Sequence, residues 1–445
     1  MKATLSRVLA SLILCPLVCS WAQSPGSDEA QVKPDAKPRY ANMPDEAVPY
    51  RRFTKPYKEW YTDENTSEYN GAAQNRPDGD INKMSEVAIG FLGPLEKNPE
   101  SIFGIPMLHG AQLAIEEANG RGGYRGKRFA LKVHNDAALW GASSTEIVKM
   151  LFDENCWAML GSVDGQSTHI ALRVALKIEM PIVDTGTTDP TVTETRIPWL
   201  IHNFPDDRQQ SYALADYVFR NFKPKRIGVL RTQARYARLG VAKFNDEARR
   251  MGRPPILEVK FDRGDTDFSQ QLRMLQDARI DALVVWGEAA EAALILTQMR
   301  AMGMKQPVFA GSRVVYPELL QQAGGAADGL VATVAMDPTR KEQKSLAFRD
   351  RYRQKFNQDP DPYAAYAYDG MNILVAAIET AGLNRGRIME ALRDYQLKEY
   401  NGVAGHVTFD RTLNNVAPVT LAQVRGGRFV YWQVETQKRE TQSGD

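Results

Sequence analysis

Apolar residues recur along this chain with two alternating periods. Short runs at Val87–Leu92, Phe129–His134, Trp157–Leu160, Pro181–Asp184 and Trp199–His202 have strand length and composition. Between them, Met107, Ala111, Ala114, Ile115 and Ala118 fall at helical spacing, as do Ile147, Val148, Leu151 and Phe152, and so does the stretch 168–177. The pattern restarts at Arg226–Arg231 and continues through strands at Ile256–Phe261, Ala282–Trp286 and Pro307–Ala310. Helices between these strands are marked by Val241, Phe244, Ala248 and Met251, by Phe268, Leu272, Leu275 and Ala278, and by the run 289–302. Strands alternating with helices imply a parallel sheet covered on both faces, so two successive series imply two α/β lobes. After an apolar run at Leu330–Ala335 the order changes. Helices are predicted near 342–357, 363–381 and 385–395, then β patterns at 406–409, 416–424 and 428–434. Gly426-Gly427 between the last two is a hairpin signal.

Two strand-to-helix turns stand out, Ala158–Thr168 and Pro181–Pro190. Each passes from an apolar run through small polar residues into a helical pattern. Exposed N–H groups and the helix dipole make such turns cradles for a small polar or anionic group, although ordinary βα loops share the pattern. Pro190 suits the first turn of a helix and Asp189 or Thr188 suits its cap. Thr187 or Thr188 would then offer a hydroxyl to a ligand carboxylate.

At 445 residues the chain suits two lobes, each with its own core. A net charge of +2 supplies no basic field for nucleic acid. Residues 1–22 read as a signal peptide: Lys2 and Arg7 precede an apolar centre at Val8–Val18, too short to span a bilayer, and Ser20-Trp21-Ala22 suits cleavage. Lipid attachment at Cys15 or Cys19 is the alternative, but bulky Leu14 and Val18 precede them. The expected location is therefore the periplasm. Cleavage would leave Cys156 alone among apolar neighbours, a buried inert thiol. Residues 23–83 are rich in Pro, Asp, Lys, Tyr and Asn and read as an irregular arm, aromatic-dense at Tyr50–Tyr61. No dinucleotide fingerprint, phosphate loop, nucleophile elbow or zinc-protease motif is present. His109, His134, His169, His202 and His406 show no ligand spacing, so no metal, no cofactor and no enzymatic activity are expected.

Several stretches, in order, resemble the type I periplasmic binding proteins of branched-chain amino-acid uptake, the leucine/isoleucine/valine-binding family. They are Val87–Pro94, Gly110–Gly123, Asn135-Asp136, Gly161–Thr168, Met180–Thr195, Lys223–Leu230, Gly264–Ser269, Tyr363–Ala367 and Gly405–Asp410. The resemblance implies two Rossmann-like lobes with parallel sheets, joined by three crossovers near Asn203–Asp206, Ala335–Pro338 and Leu413–Val416. Lobe 1 would span 84–205 plus 337–414, and lobe 2 206–336 plus 415–437, with a tail at 438–445. It implies a monomeric binder that closes on a small-molecule ligand and docks on ABC permease subunits in the inner membrane, with no nucleic-acid partner. The competing readings are a sensory module for a membrane receptor and an exported enzyme.

The resemblance also implies site residues. Phe103 falls where an aromatic covers the ligand. Asp164 and Gly165 occupy the first turn, where amino-acid binders offer a serine hydroxyl, so the Gly165 N–H, Gln166 or Ser167 would substitute. Gly186 and Thr188 fit the second turn, and Tyr236 a second-lobe aromatic. Glu288 replaces a common aromatic. Ser312 stands where an acidic residue takes the ligand's ammonium, and Arg313 follows it. The expected ligand is a small polar organic solute, amino-acid-like or carboxylate-bearing.

Overall fold

Val87 to Gly93 are buried along the whole of the first strand, β1 (Glu86–Gly93). A strand apolar on both faces needs helices on both sides. The chain continues as alternating helices and strands, α1 (Ser101–Gly120), β2 (Arg128–Asn135), α2 (Trp140–Phe152), β3 (Met159–Leu160), α3 (Gly165–Ile178), β4 (Ile182–Asp184), α4 (Thr191–Glu194) and β5 (Leu200–His202). The computed structural model describes residues 77–433 apart from Lys97, Leu397 and Lys398. The expected signal peptide, the aromatic run Tyr50–Tyr61 and the tail 438–445 lie outside the described residues.

β1 to β5 pair in parallel in the order β2-β1-β3-β4-β5. A second series follows: α5 (Asp207–Asn221), β6 (Ile227–Thr232), α6 (Arg235–Arg250), β7 (Leu257–Phe261), α7 (Ser269–Asp277), β8 (Ala282–Trp286), α8 (Ala289–Ala301), β9 (Val308–Ala310), α9 (Pro317–Ala323) and β10 (Val331–Val334). Its parallel strands repeat the same order one series later, β7-β6-β8-β9-β10. The chain then returns to the first sheet through α10 (Gln343–Phe356), α11 (Pro362–Ala381) and α12 (Arg385–Arg393), followed by a small pair, β11 (Tyr400–Asn401) and β12 (His406–Val407). It ends on the second sheet with the antiparallel hairpin β13 (Thr420–Arg425) and β14 (Arg428–Gln433), turning at Gly426-Gly427.

In sheets of this order, the loops leaving the strands on either side of the reversal splay apart. A crevice opens there, at the carboxyl ends of the strands. The reversal lies between β1 and β3 in the first sheet and between β6 and β8 in the second.

Two helices escaped the sequence pattern. α5 opens Asp-Arg-Gln-Gln, which carries no apolar stripe, yet nearly all of its side chains are buried. The Asp206 side chain accepts from Gln209 N–H and the Gln209 side chain accepts from Asp206 N–H, a capping box that was readable as Asp-x-x-Gln. α9 is only seven residues long. The expected strand over 416–424 begins at Thr420 instead, because 416–419 is spent reaching the second sheet.

The chain passes between the sheets three times, and the passages are bonded to one another. Asn415 Nδ2 donates to Asn203 O at 2.7 Å, and Asn414 Nδ2 donates to Asp206 Oδ2 at 3.1 Å. Asn203 Nδ2 donates to Tyr366 O, and Tyr366 OH donates to Ala335 O, each at 3.0 Å. α1 and α11 meet at Gly110, where an added Cβ would sit 2.0 Å from Ala364 O.

Gly110→Ala is therefore expected to force these helices apart and cost about 1–3 kcal/mol. Gly120→Ala, at the open end of α1 with nothing within 4 Å, should be neutral or stabilising. Urea unfolding of both variants checks this; equal midpoints would contradict it.

Candidate functional site

The two crevices face each other across a cavity of about 90 Å³. From the first sheet it is walled by Glu100 before α1, by Val163, Asp164 and Gly165 at the start of α3, and by Thr187, Thr188 and Asp189 after β4. From the second it is walled by Ala234, Arg235, Tyr236 and Leu239 at the start of α6, and by Arg313 after β9. An apolar cavity of about 150 Å³ admits benzene, so this arrangement holds only a compact solute unless side chains or lobes move.

Arg313 is a buried cation in the wall. Its guanidinium lies 4.4 Å from the centre of the Phe103 ring and 4.0 Å from that of Tyr236, so it is stacked between one aromatic from each half of the molecule. Its Nη1 donates to Glu100 Oε2 at 2.9 Å and to Glu288 Oε1 at 3.3 Å. Arg263 reaches the same two carboxylates at 2.8 and 3.0 Å. Burial would push Glu100 up, but Arg313 and Arg263 more than offset this and hold it below the usual range. Burial raises Glu288 despite the same cations, with Glu100 adding like-charge repulsion.

A second ionic contact crosses the cavity. Arg235 Nε and Nη2 donate to Asp189 Oδ2 at 2.9 and 2.7 Å. Asp189 Oδ1 accepts from Thr191 N–H at 2.9 Å, so Asp189 is also tied to the first residue of α4. Glycine at 165 makes the room: a Cβ there would stand 2.5 Å from Asp189 Oδ2. Where a serine hydroxyl was expected to be missing, a carboxylate from the neighbouring turn fills the space.

The expected anion cradle differs in detail. The amides of Gly186 and Thr187 both donate to Asp184 Oδ1 at 3.2 Å, and the Thr188 hydroxyl donates to Asp207 Oδ2 at 3.1 Å. These donors are committed inside the protein rather than presented to the cavity. Of the residues implied by resemblance, Asp164, Gly165, Thr188, Tyr236 and Arg313 meet at the cavity wall. Phe103 and Glu288 stand behind Arg313. Gln166 is exposed, Ser312 is half-buried in a single 3-10 turn, and Gly186 lies behind the wall. Glu100, Asp189, Arg235 and Arg263 were not picked out as site residues. Arg235 carried a readable signal: a cation at the first position of a helix opposes the dipole.

Cys156 is buried, and burial pushes its thiol up to about 12, as an inert core cysteine requires.

Residues 86–428 match a family model described as periplasmic binding protein. Among curated proteins, the chain is 24% identical over 355 residues to the Leu/Ile/Val-binding protein homolog 2 of Brucella abortus, covering 79% of this chain and 94% of that one. Among solved structures it is similar to a leucine-binding protein of Thermotoga maritima, with a TM-score of 0.70, 26% identity, and 78% and 97% of the two chains covered. It is also similar to the branched-chain amino-acid transporter substrate-binding protein of Streptococcus pneumoniae in complex with isoleucine, with a TM-score of 0.69, 27% identity, and 78% and 99% covered.

Burial raises Asp184, behind the second turn, to about 7, against an ordinary 3.8; His202 and two backbone N–H groups offset only part of this. The folded state thus holds a proton that the unfolded chain releases near pH 4. The stability tied to that proton is present below about pH 4 and is lost as pH rises through about 7. Asp184→Asn keeps an acceptor for both amides and removes the titration. Its stability relative to the parent should improve between pH 5 and pH 8, measured by urea unfolding; an unchanged difference across that range would contradict the assignment.

Proposed function

The chain belongs to the periplasmic binding protein family, and on that footing we propose that it captures a small polar organic solute between its lobes and hands it to an ABC importer. The observation that carries this reading is the cavity itself, small, ringed by charge and walled by both sheets. Such a site works by exclusion of water: once the lobes meet, a few polar contacts act at low dielectric and fix the solute's orientation.

Solute capture explains why the chain makes three passages between the sheets. Hinges at element termini let two rigid bodies swing without breaking either core. Opening would need the Arg235–Asp189 and Arg313–Glu100 contacts to part, and closure with solute would remake them around it. The bonded passages at Asn203–Asp206, Ala335–Pro338 and Leu413–Val416 would serve as that hinge, dividing the chain into lobe 1 at 84–205 plus 337–414 and lobe 2 at 206–336 plus 415–437. The solute-free and solute-filled forms would then present different outer surfaces to the permease subunits of the inner membrane. Export by cleavage after Ala22, residence in the periplasm and action as a monomer without catalysis complete the proposal.

A thermal-shift panel of amino acids, organic acids, amides and small alcohols tests it. A solute at 100 times its dissociation constant adds about 2.7 kcal/mol of stability, an easily seen shift. At least one compact polar solute should raise the melting temperature. Leu239→Trp, which fills the cavity from the α6 side, should abolish that rise and leave the solute-free melting temperature near the parent's. A silent panel, or an equal rise in Leu239→Trp, would overturn the reading.

A further inference from the structure

The charges around the cavity are sorted by lobe. The first lobe contributes Glu100, Asp164 and Asp189 to the wall, and the second contributes Arg235 and Arg313. Deeper contacts keep the same sense: Glu194 after the second turn faces Lys243 of α6 at 3.8 Å. Glu288 is an acid on the second lobe, and it is bonded to Arg263 and Arg313. The wall thus holds three carboxylates against two guanidiniums. Glu100 and Asp189 are paired across the cavity, whereas no ion pair reaches Asp164 among the described residues. Asp164 accepts from Ser167 N–H at 2.8 Å, and burial raises it above the ordinary carboxylate range, with Glu100 adding repulsion. On the opposite wall the Tyr236 hydroxyl and Arg313 Nε are buried donors with no partner among the described residues. A buried donor left unmatched is costly, so both favour an acceptor brought in by the solute.

We propose that the solute carries a cationic amine that lies on the first lobe against Asp164, and an acceptor group that lies on the second lobe against Tyr236 and Arg313. This orientation reverses the polarity that the sequence resemblance implies, with carboxylate on the first-lobe turns and ammonium on a second-lobe acid at position 312. The reversal is consistent with the committed donors at Gly186, Thr187 and Thr188, with the serine at 312, and with an excess carboxylate that repels a purely anionic solute. It rests on the solute-capture reading above.

Three probes on a three-carbon skeleton separate the ends: alanine bears both groups, isopropylamine only the amine, and propionate only the carboxylate. Calorimetric titration of the processed chain should show alanine binding tightest and isopropylamine tighter than propionate. Asp164→Asn, which keeps the cap of α3 because Asn caps as well as Asp, should weaken alanine and isopropylamine at least tenfold and spare propionate. Tyr236→Phe should weaken alanine and spare isopropylamine. Propionate tighter than isopropylamine, alanine unaffected by Asp164→Asn, or isopropylamine weakened by Tyr236→Phe would overturn the orientation. A chain that takes none of the three also overturns it. In that case a hit elsewhere in the wider thermal-shift panel leaves solute capture standing, and a silent panel removes both.

Discussion

A buried cation has to be compensated, and Arg313 is compensated by Glu100 from the other lobe and by Glu288 from its own. Burial on its own would lower the proton affinity of this guanidinium, but its neighbours, Glu100 foremost and Glu288 among the rest, more than reverse that, and the group stays charged. Two rings, Phe103 and Tyr236, close on its faces. Removing one partner of such a group typically costs about 3–5 kcal/mol, because the other is left buried and unpaired. The approach of the lobes, the wall of the cavity and the position of α1 all depend on this one arrangement. Arg235 and Asp189 repeat it on the opposite side. Between the two lies the space for a solute.

The magnitudes matter for how the protein works. Inter-lobe ion pairs of a few kcal/mol are comparable with the few kcal/mol that a well-bound solute supplies. Partly exposed pairs such as Arg235–Asp189 are screened by salt, whereas Arg313–Glu100, with Arg313 only 5% exposed, is screened much less. The passages between the sheets add a polar link: the His202 ring bonds Asn414 Oδ1 at 2.7 Å and Thr187 O at 2.8 Å. The turn beside the cavity is thereby bonded to the third passage.

The two-lobed α/β fold was legible because its strands are continuous apolar runs and its helices carry apolar stripes. α5 was not, because its first turn buries Arg208, Gln209 and Gln210 beside the apolar Leu214, Val218 and Phe219, and those polar residues are satisfied by partners outside the helix such as Glu194, Ala417 and Thr333. The site was half legible. Asp164, Gly165, Thr188, Tyr236 and Arg313 sit at predictable strand-to-helix turns. Asp189 looked like a cap; one oxygen accepts from Thr191 N–H, and the other, facing Arg235, depends on a spatial neighbour no local pattern reveals. Glu100 and Arg263 become site residues only when the lobes meet. The resemblance supplied the fold and the broad role; its expectation of first-lobe anion binding loses the Gly186 and Thr187 amides and the Thr188 hydroxyl, which Asp184 and Asp207 take.

Electrostatic contacts hold the two lobes together across the cavity, and the distance between the lobes measures this most directly. Spin labels at Lys177→Cys on the first lobe and Lys260→Cys on the second are both at exposed positions, and buried Cys156 is set apart from labelling. Pulsed electron–electron resonance on the solute-free chain should show a short-distance population at low salt. Asp189→Arg should deplete that population, and the swapped pair Asp189→Arg with Arg235→Asp should restore it. A distance distribution indifferent to the single charge reversal would contradict the account.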